Sequence, residues 1–402
     1  MINNPKPLDK VINLNDIHYG LRNNSAEWLY NIDDIFFRKI IIPFIENLPD
    51  LDRWQMIING DLHDSKQLFS VLIQNRIGFT IEKIAKLIPV WINTGNHDLY
   101  GDKPIEIDGQ NYWINACRHL ARIDNVHVID APHTINTISG DKVTIIPYIG
   151  TPNKHDINGE ISIIEDIKSQ HNDYLFTHTT YSGFFYEGKK IEGSEGISPE
   201  LVKPFKKVFN GHIHSEQEKG NILITGSQYH TKTSEWKNPC HFHTIDFSAK
   251  KEVITVHEND LSPRYKETNI LQLMDSSTFE AQMWCKNSYI TVNVPTHLVG
   301  EFDYHPIYDL LSGARTVRFD PVVIEIGGGE QNLLGMEGIS GMEGKIDVKS
   351  KYPDYLKELS IVHLDKGESI EITDKVKEKL DQSFAKLYEK AEQNLKLTDI
   401  EL

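Results

Sequence analysis

MIINGDLHD, residues 56–64, joins a run of apolar residues to a glycine and then to a cluster of Asp and His. Short apolar and β-branched runs are typical of buried strands, and a glycine lets the chain turn tightly where the strand ends. Similar runs occur at VINL (11–14), VWIN (90–93), VHVI (126–129), VTIIP (143–147), YLFT (174–177), KVFN (207–210), ILIT (222–225) and FHTIDF (242–247). Strands that each end in a polar loop predict a layered α/β domain.

Apolar residues at helical spacing lie between the early strands. One stripe runs from Trp28 to Phe36, and we expect Pro43 to end this helix because proline has no N–H to donate. A second helical stripe runs from Leu68 to Leu87. Helices between strands support the α/β prediction.

Four regions follow from the changes in sequence character. The first 258 residues carry the repeated strand pattern, and residues 259–326 mix strands such as SYITVNVP with short helices in a small α/β cap. Residues 327–348 hold seven glycines and form a Gly/Met-rich linker. Residues 349–402 end in an amphipathic helix whose apolar stripe includes Val376, Leu380, Phe384, Leu387 and Leu395. Such a stripe needs a partner to cover it.

Composition excludes several classes of protein. The 402 residues contain 42 basic and 58 acidic side chains, a net charge of −16, which argues against a generic electrostatic grip on nucleic acid. Three cysteines at distant positions make neither a disulfide framework nor a thiolate zinc site. Neither a membrane-spanning run nor a signal peptide is evident, so we expect a cytoplasmic protein.

Five polar clusters sit at the ends of predicted strands. They are Asp16-Ile17-His18, Gly60-Asp61-Leu62-His63-Asp64, Gly95-Asn96-His97-Asp98, His178 and Gly211-His212-Ile213-His214. Strand ends of this kind converge on one crevice in open α/β sheets. Carboxylates and imidazoles suit divalent Mn, Fe or Zn, and about eight ligands suffice for two ions if one carboxylate bridges them. A lone His or a single such cluster would carry little weight, because most histidines are not ligands.

The five clusters and their order resemble the signature blocks of the calcineurin-like metallophosphoesterases. The resemblance covers about residues 11–247 and implies a four-layer sandwich of two mixed β-sheets flanked by helices. It also implies that Asp16, His18, Asp61 and His214 hold one metal, whereas Asp61, Asn96, His178 and His212 hold the other. Two divalent ions would activate a water against a phosphorus centre. Mn²⁺ is the expected ion, with Mg²⁺, Fe²⁺ and Zn²⁺ as alternatives.

The remaining polar residues of these blocks have less direct roles. His97 is expected beside the phosphate, where it stabilises developing charge or protonates the leaving oxygen, with Asp98 as an orienting partner. His63 and Asp64 are expected in a supporting shell. Many related nucleases carry a second active-site histidine where this chain has Asp64, and the sequence leaves open whether Asp64 or His63 replaces it.

The architecture of core, cap, linker and terminal helix resembles the SbcD type of nuclease and its phage recombination relatives. That resemblance implies a metal-dependent DNA exonuclease and endonuclease in DNA-end processing, recombination or repair, located in the host cytoplasm if phage-encoded. It implies an SbcC-type coiled-coil ABC ATPase bound to the terminal helix, and a homodimer within a heterotetramer. The apolar segments 68–87 and 113–120, expected as helices, could supply the dimer face, although packing in the core explains them equally well.

Two alternatives stay open at this stage. The chain could be a stand-alone phosphomonoesterase or cyclic-nucleotide phosphodiesterase, which the acidic surface would suit. It could also be mainly a structural tether of the ATPase. Basic cap residues such as Arg264, Lys266, Arg315 and Arg318 could contact DNA phosphates, although ordinary solvated charge explains them equally well. The aromatic residues from Tyr181 to Tyr186 could stack on bases, or could simply pack in the core.

Overall fold

Two β-sheets form the centre of the computed structural model, which describes residues 6–64, 70–107, 110–249, 251–296, 299, 304–322, 361–363 and 369–371. The first sheet has six strands, in the spatial order Val253–Glu258, His241–Asp246, Lys10–Leu14, Trp54–Asn59, Val90–Asn93 and Val126–Ile129. The second also has six, in the order Gln217–Lys219, Ile222–Ile224, Lys207–Asn210, Tyr174–Thr177, Lys142–Ile145 and His133–Asn136.

Both sheets are mixed, as predicted. Lys10–Leu14 runs parallel to Trp54–Asn59 and antiparallel to His241–Asp246. In the second sheet Tyr174–Thr177 is parallel to Lys207–Asn210, while one edge strand, Gln217–Lys219, is antiparallel to its neighbour. The parallel central strands all end at the same edge of their sheet, so their loops are brought together there.

The two sheets pack face to face through a shared apolar core. Trp91 and Ile57 of the first sheet and Phe176 and Phe209 of the second belong to this buried cluster. The opposite face of each sheet packs against helices, as seen in the buried clusters that join Ile12 to Phe36 and Leu175 to Ile164. The predicted four-layer arrangement is therefore confirmed.

The helices lie between the strands at the expected places, except at Pro43 and at residues 113–120. They comprise Leu21–Asn24, Ala26–Leu29, Tyr30–Ile41, Ile42–Glu46, Val71–Ala85, Ile157–Ser169, Pro199–Val202, Ile270–Asp275, Thr278–Cys285 and His305–Leu310. The prediction that Pro43 ends the first long helix is wrong, because helical structure continues to Glu46. Pro43 lies at the start of a new helical segment after the π-helical stretch Tyr30–Ile41, and proline is tolerated there.

Smaller elements complete the description. A three-stranded sheet contains Arg264–Asn269, Ser288–Pro295 and Thr316–Val322, which confirms the strands expected in the cap region. Paired short strands occur at Leu99–Ile107 with Gln110–Asn115, at Gly150–Thr151 with Lys154–His155, and at Phe185–Tyr186 with Lys189–Lys190. The helix expected at 113–120 is wrong: residues up to Asn115 form a strand, and only the short 3₁₀ helix Arg118–Arg122 follows.

The chain divides into two compact units, the first comprising Met1–Val294 and Leu298–Pro321. The second comprises Pro295–His297 and Val322–Leu402, and in it Ile361–His363 pairs antiparallel with Ser369–Glu371. The predicted linker 327–348 and the predicted partner-binding stripe from Val376 to Leu395 lie outside the described residues. Within the described part of the chain, the helices are too short or too polar to span a bilayer.

Aromatic stacking joins the three-stranded sheet to the first helices of the sandwich. Trp28 is buried and stacks on Tyr289, with 5.8 Å between ring centroids, and on Tyr265 at 6.2 Å. Arg315 adds a hydrogen bond from Nη1 to Asn31 Oδ1 at 2.9 Å. The cap is thus fixed to the sandwich by both apolar and polar contacts within the first unit.

Trp28→Ala is expected to lower the free energy of unfolding by about 3–5 kcal/mol, because it removes a large buried ring and leaves a cavity. Phe279→Ala is the matched control, since that ring is 73% exposed and its loss should change stability by less than about 0.5 kcal/mol. Urea denaturation of both variants measures the difference. Equal stabilities would contradict the role assigned to Trp28.

Candidate metal centre

Loops from both sheets meet at one edge of the sandwich. Asp16 N–H donates to Gly60 O at 3.1 Å, and His18 N–H donates to Asp61 O at 3.0 Å, so two loops of the first sheet run side by side. His212, from the second sheet, donates its backbone N–H to Asp16 Oδ2 at 3.1 Å. These backbone contacts bring together residues that are 196 positions apart.

Asp16, His18 and His214 form the first group of donor atoms. His18 Nε2 lies 3.1 Å from His214 Nε2, and His214 Nε2 lies 3.9 Å from Asp16 Oδ1. The carboxylate of Asp61 adjoins this group, because its Oδ2 is 4.0 Å from His18 Nε2. The four residues predicted for the first metal therefore lie around one point.

Asp61 also belongs to a second group, with His178 and His212. Asp61 Oδ2 lies 3.2 Å from His178 Nε2, and Asn96 Oδ1 lies 3.1 Å from His212 Nδ1. The residues predicted for the second metal are thus also brought together. Since Asp61 belongs to the second group and also lies 4.0 Å from His18 of the first, it occupies the position that a bridging ligand requires.

Four of the donor residues have a strained backbone conformation. Asp16, His18, Asp61 and His212 have φ values of +51°, +54°, +50° and +72°, in the left-handed region that side chains other than glycine seldom adopt. Strained backbone of this kind clusters at functional sites, where the surrounding structure holds it in place. The loops are therefore shaped to present these side chains.

Two histidines are oriented by hydrogen bonds through Nδ1, the ring nitrogen that does not face the other donor atoms. His178 Nδ1 donates to Asn59 O at 2.8 Å, because a carbonyl can only accept, and this leaves Nε2 as a lone-pair donor toward the pocket. His214 Nδ1 lies 2.6 Å from the carboxylate of Glu235. Burial raises the pKa of Glu235, but hydrogen bonds from His214 and Thr231 lower it to about 2. Glu235 was not predicted, since nothing in its local sequence TSEWK distinguishes it.

The electrostatics of the pocket favour positive charge. Burial lowers the pKa of His18, but Asp64, Asp61 and Asp16 outweigh it and raise that pKa to about 9. His178 behaves in the same way beside Asp61, with a pKa of about 9. Burial also raises the pKa of Asp61, yet His178 and His97 hold it well below its usual range.

The donor set fits divalent cations. His178 Nε2 is buried and has no hydrogen-bond partner, although it faces Asp61 Oδ2. A buried nitrogen without a partner is costly unless something else satisfies it. Imidazole, carboxylate and amide donors are those that Mn, Fe and Zn accept.

His97 and Asp64 line the pocket, whereas Asp98 and His63 lie beneath it. The pocket is a cavity of about 620 Å³. His97 Nδ1 donates to Asp64 O at 2.5 Å, and Asp64 Oδ1 lies 3.4 Å from His18 Nδ1. Asp64 rather than His63 therefore occupies the pocket wall.

The partner expected for Asp98 differs from the one observed. Its carboxylate accepts from the His63 ring at 2.9 Å and from the backbone N–H of Gly95 at 2.9 Å and of His63 at 3.0 Å. The predicted orienting contact with His97 is thus replaced by a contact with His63. Asp98 connects the loop of residues 60–64 to the loop of residues 95–98, because its carboxylate can accept several N–H groups at once.

Tyr186 lies over the pocket and was predicted only as one of several aromatic residues. Its ring stacks on His212 at 5.8 Å between centroids, and Lys232 Nζ lies 6.0 Å from its centroid. Tyr181 and Phe184 of the same stretch are buried in the core behind the second sheet. The cap cations have partners within the chain: Arg264 bonds Asn259 O and Arg318 bonds Asp320.

Gly60 is expected to be irreplaceable, because its φ is +94° and an added Cβ would lie 2.0 Å from His178 Nδ1. Gly60→Ala should displace His178 and weaken binding of a divalent ion by about 10- to 100-fold. Gly140→Ala is the matched control, since Gly140 has a φ of +90° but no heavy atom within 4 Å of the added Cβ. Isothermal titration with Mn²⁺ compares the two variants, and equal affinities would refute the steric argument.

Comparison with known proteins adds independent information. The chain is 26% identical over 247 residues to exonuclease subunit 1 of Enterobacteria phage T4, and 28% identical over 173 residues to putative phosphoesterase 244L of Invertebrate iridescent virus 6. These alignments cover 60% and 42% of this chain, and 66% and 56% of the relatives, so the chain spans less than two thirds of each.

Two solved structures are similar at lower identity. A calcineurin-like phosphoesterase from Bacillus subtilis matches 65% of this chain and 94% of its own, with 12% identity and a TM-score of 0.35. A protein of unknown function from Aquifex aeolicus matches 42% of this chain and 80% of its own, with 15% identity and a TM-score of 0.24.

The family model of the calcineurin-like phosphoesterases matches residues 10–216, which is more than half of the chain and includes all seven donor residues. Members of this family use divalent metals, in agreement with the donor groups described above. The chain belongs to the calcineurin-like phosphoesterase family.

Proposed function

We propose that this phosphoesterase is a metal-dependent DNA nuclease that hydrolyses phosphodiesters. The observation that carries the proposal is the convergence of two donor groups on the shared carboxylate of Asp61. Similarity to a T4 protein named exonuclease subunit 1 supports DNA as the substrate.

The seven donors divide between two cations in this proposal, and both cations share Asp61. Asp16, His18, Asp61 and His214 would hold one, whereas Asp61, Asn96, His178 and His212 would hold the other. Two such ions neutralise phosphate oxygens and lower the pKa of a water between them. Mn²⁺ is the proposed ion, since oxygen and imidazole donors without thiolate suit it.

The other pocket residues act on the substrate and on the donors. His97 donates its Nδ1 hydrogen to the carbonyl of Asp64, so in the imidazolium form Nε2 carries the proton for the leaving oxygen. The carboxylate of Asp64 lies 3.4 Å from Nδ1 of His18 and adds negative charge beside that ring. Glu235 holds His214, and Asp98 fixes the loops on which Asp61 and Asn96 lie.

We further propose an ATPase partner of the SbcC type, bound by the segment 349–402, and a homodimer of this chain. The support is the apolar stripe of the terminal segment, together with the word subunit in the name of the T4 relative. A pull-down of the ATPase with the full chain and with a chain ending at residue 348 tests this part separately. Equal recovery would refute binding through the terminal segment.

The net charge of −16 agrees with such a partner, because a chain this acidic has little electrostatic attraction for duplex DNA on its own. The cations at the metal centre and the ATPase would supply the positive surface. Nuclease activity of the complex should therefore exceed that of the isolated chain at physiological salt.

Cleavage of labelled single-stranded and duplex DNA by the full chain with Mn²⁺ tests the nuclease proposal. We expect cleavage that chelation by EDTA abolishes and that added Mn²⁺ restores. A metal-loaded chain that leaves DNA intact, alone and with its ATPase, would refute the proposal.

A second candidate is a phosphoesterase for small substrates, favoured by the similarity to a putative viral phosphoesterase. It predicts rapid hydrolysis of phosphomonoesters or cyclic nucleotides by the chain alone. Competition assays that offer both DNA and a small phosphoester distinguish the two functions.

A further inference from the structure

A second cluster of ligand-type side chains lies outside the pocket, where Glu216, His241 and His243 meet. Glu216 Oε2 lies 3.3 Å from His241 Nε2, and Glu216 Oε1 lies 3.4 Å from His243 Nε2. Both imidazoles are buried, whereas the side chain of Glu216 is about a third exposed. None of the three is among the described residues that line the pocket.

The fold brings these residues together from both sheets. His241 and His243 alternate on the strand His241–Asp246, so they share one face with Ile245, which belongs to the core between the sheets. Glu216 directly precedes the edge strand Gln217–Lys219 of the second sheet. At this end of the interface between the sheets, a polar cluster therefore replaces the apolar core and contacts both sheets.

The separations match those of two ligands on one ion and lie at the long end of the hydrogen-bond range. An N–H···O bond is usually 2.7–3.2 Å long, so about 3.3–3.4 Å is longer than usual. Two ligands at about 2.0–2.1 Å from a tetrahedral zinc lie about 3.3 Å apart, as follows from the tetrahedral angle. The observed nitrogen-to-oxygen distances match that ligand-to-ligand distance.

A buried amide lies on the neighbouring strand, beside His243. Asn13 pairs with His243 in the antiparallel ladder, which places both side chains on the same face of the sheet. Asn13 is 1% exposed, and its Oδ1 has no hydrogen-bond partner. An unsatisfied buried carbonyl oxygen is unfavourable, so its presence points to a bound species at this end of the core.

We propose that Glu216, His241 and His243 bind a structural Zn²⁺ ion that links the two sheets. Two imidazoles and one carboxylate are a donor set that zinc takes in proteins, with the fourth position filled by water or another oxygen. Because the side chain of Glu216 is partly exposed, water can reach that fourth position. Because Glu216 is two residues from His214, the ion would also fix the loop that carries a donor of the metal centre.

Zinc content of the full chain tests the proposal. In the double variant Asp61→Asn, His178→Gln the metal centre loses its shared carboxylate and one imidazole. After chelation, reloading with Zn²⁺ and desalting, we expect this variant to retain about one zinc per chain by mass spectrometry. Adding His243→Gln should lower that content to about a tenth or less.

His257→Gln in the same background is the matched control. His257 lies on the adjacent strand and stacks on Phe242, on the opposite face of the sheet, so its loss should leave the zinc content unchanged. Circular dichroism verifies that each variant is folded, and Glu216→Gln replaces His243→Gln if that variant is not. Absence of zinc in the folded double variant, or retention of zinc after loss of His243 or Glu216, would overturn the proposal.

Discussion

Asp61→Asn is expected to abolish phosphodiester hydrolysis, with a loss of about 10³-fold or more. The substitution keeps the size of the side chain but removes the negative charge that lies between the two donor groups. It also weakens the acceptor for the backbone N–H of His97, which lies 2.8 Å from Asp61 Oδ1. The variant should therefore lose metal as well as activity.

Asp9→Asn separates this effect from general damage to a buried carboxylate. Asp9 is also buried, and it accepts from Arg53 at 2.5 and 3.0 Å on a different part of the first sheet. That variant should lose some stability and keep its activity and metal content. Metal analysis and DNA cleavage, measured on the same preparations, give the comparison; an active, metal-loaded Asp61→Asn protein would contradict the bridging role.

His97→Ala is expected to lower DNA cleavage by about 10²- to 10⁴-fold while the metal content stays unchanged. His97 lines the pocket but is not assigned as a donor to either ion. Removal of a proton donor should slow the departure of a poor leaving group such as a sugar alkoxide. It should matter much less when the leaving group is p-nitrophenolate, which is stable without a proton.

The ratio of the two substrates is therefore the decisive readout for His97. DNA cleavage should fall far more than hydrolysis of bis-p-nitrophenyl phosphate. His119→Ala serves as a control, because that histidine lies in the short helix Arg118–Arg122 and should affect neither reaction. An equal loss on both substrates would show that His97 positions the phosphate and does not protonate the leaving oxygen.

Local patterns predicted the strands and the polar clusters at their ends, whereas the four-layer sandwich and the division of the donors between two ions came from the resemblance to the calcineurin-like metallophosphoesterases. Strands such as Val90–Asn93 and Tyr174–Thr177 are short apolar runs, and they are found where the pattern placed them. The donors lie at strand ends, three of the clusters directly after Gly60, Gly95 or Gly211, and parallel topology brings such ends to one edge. Their order along the chain matched the family's order, and that resemblance grouped them.

Other features depend on three-dimensional neighbours that a local pattern does not contain. Glu235 contacts His214, although the two are 21 residues apart. Asp98 contacts His63 and not His97, because the loop of residues 60–64 packs against the loop of residues 95–98. The continuation of the helix past Pro43 depends on the wider π-helical turn before it. The position of Tyr186 over His212 depends on a two-residue hairpin with no apolar periodicity.

The central claim is that seven side chains hold two cations, with Asp61 shared between them. Anomalous scattering from a crystal of the full chain soaked in Mn²⁺ tests it most directly. The account predicts two manganese peaks, one beside Asp16, His18 and His214 and one beside Asn96, His178 and His212, with Asp61 bound to both. Fewer than two peaks in that pocket, or a His178 ring turned away from it, would contradict the account.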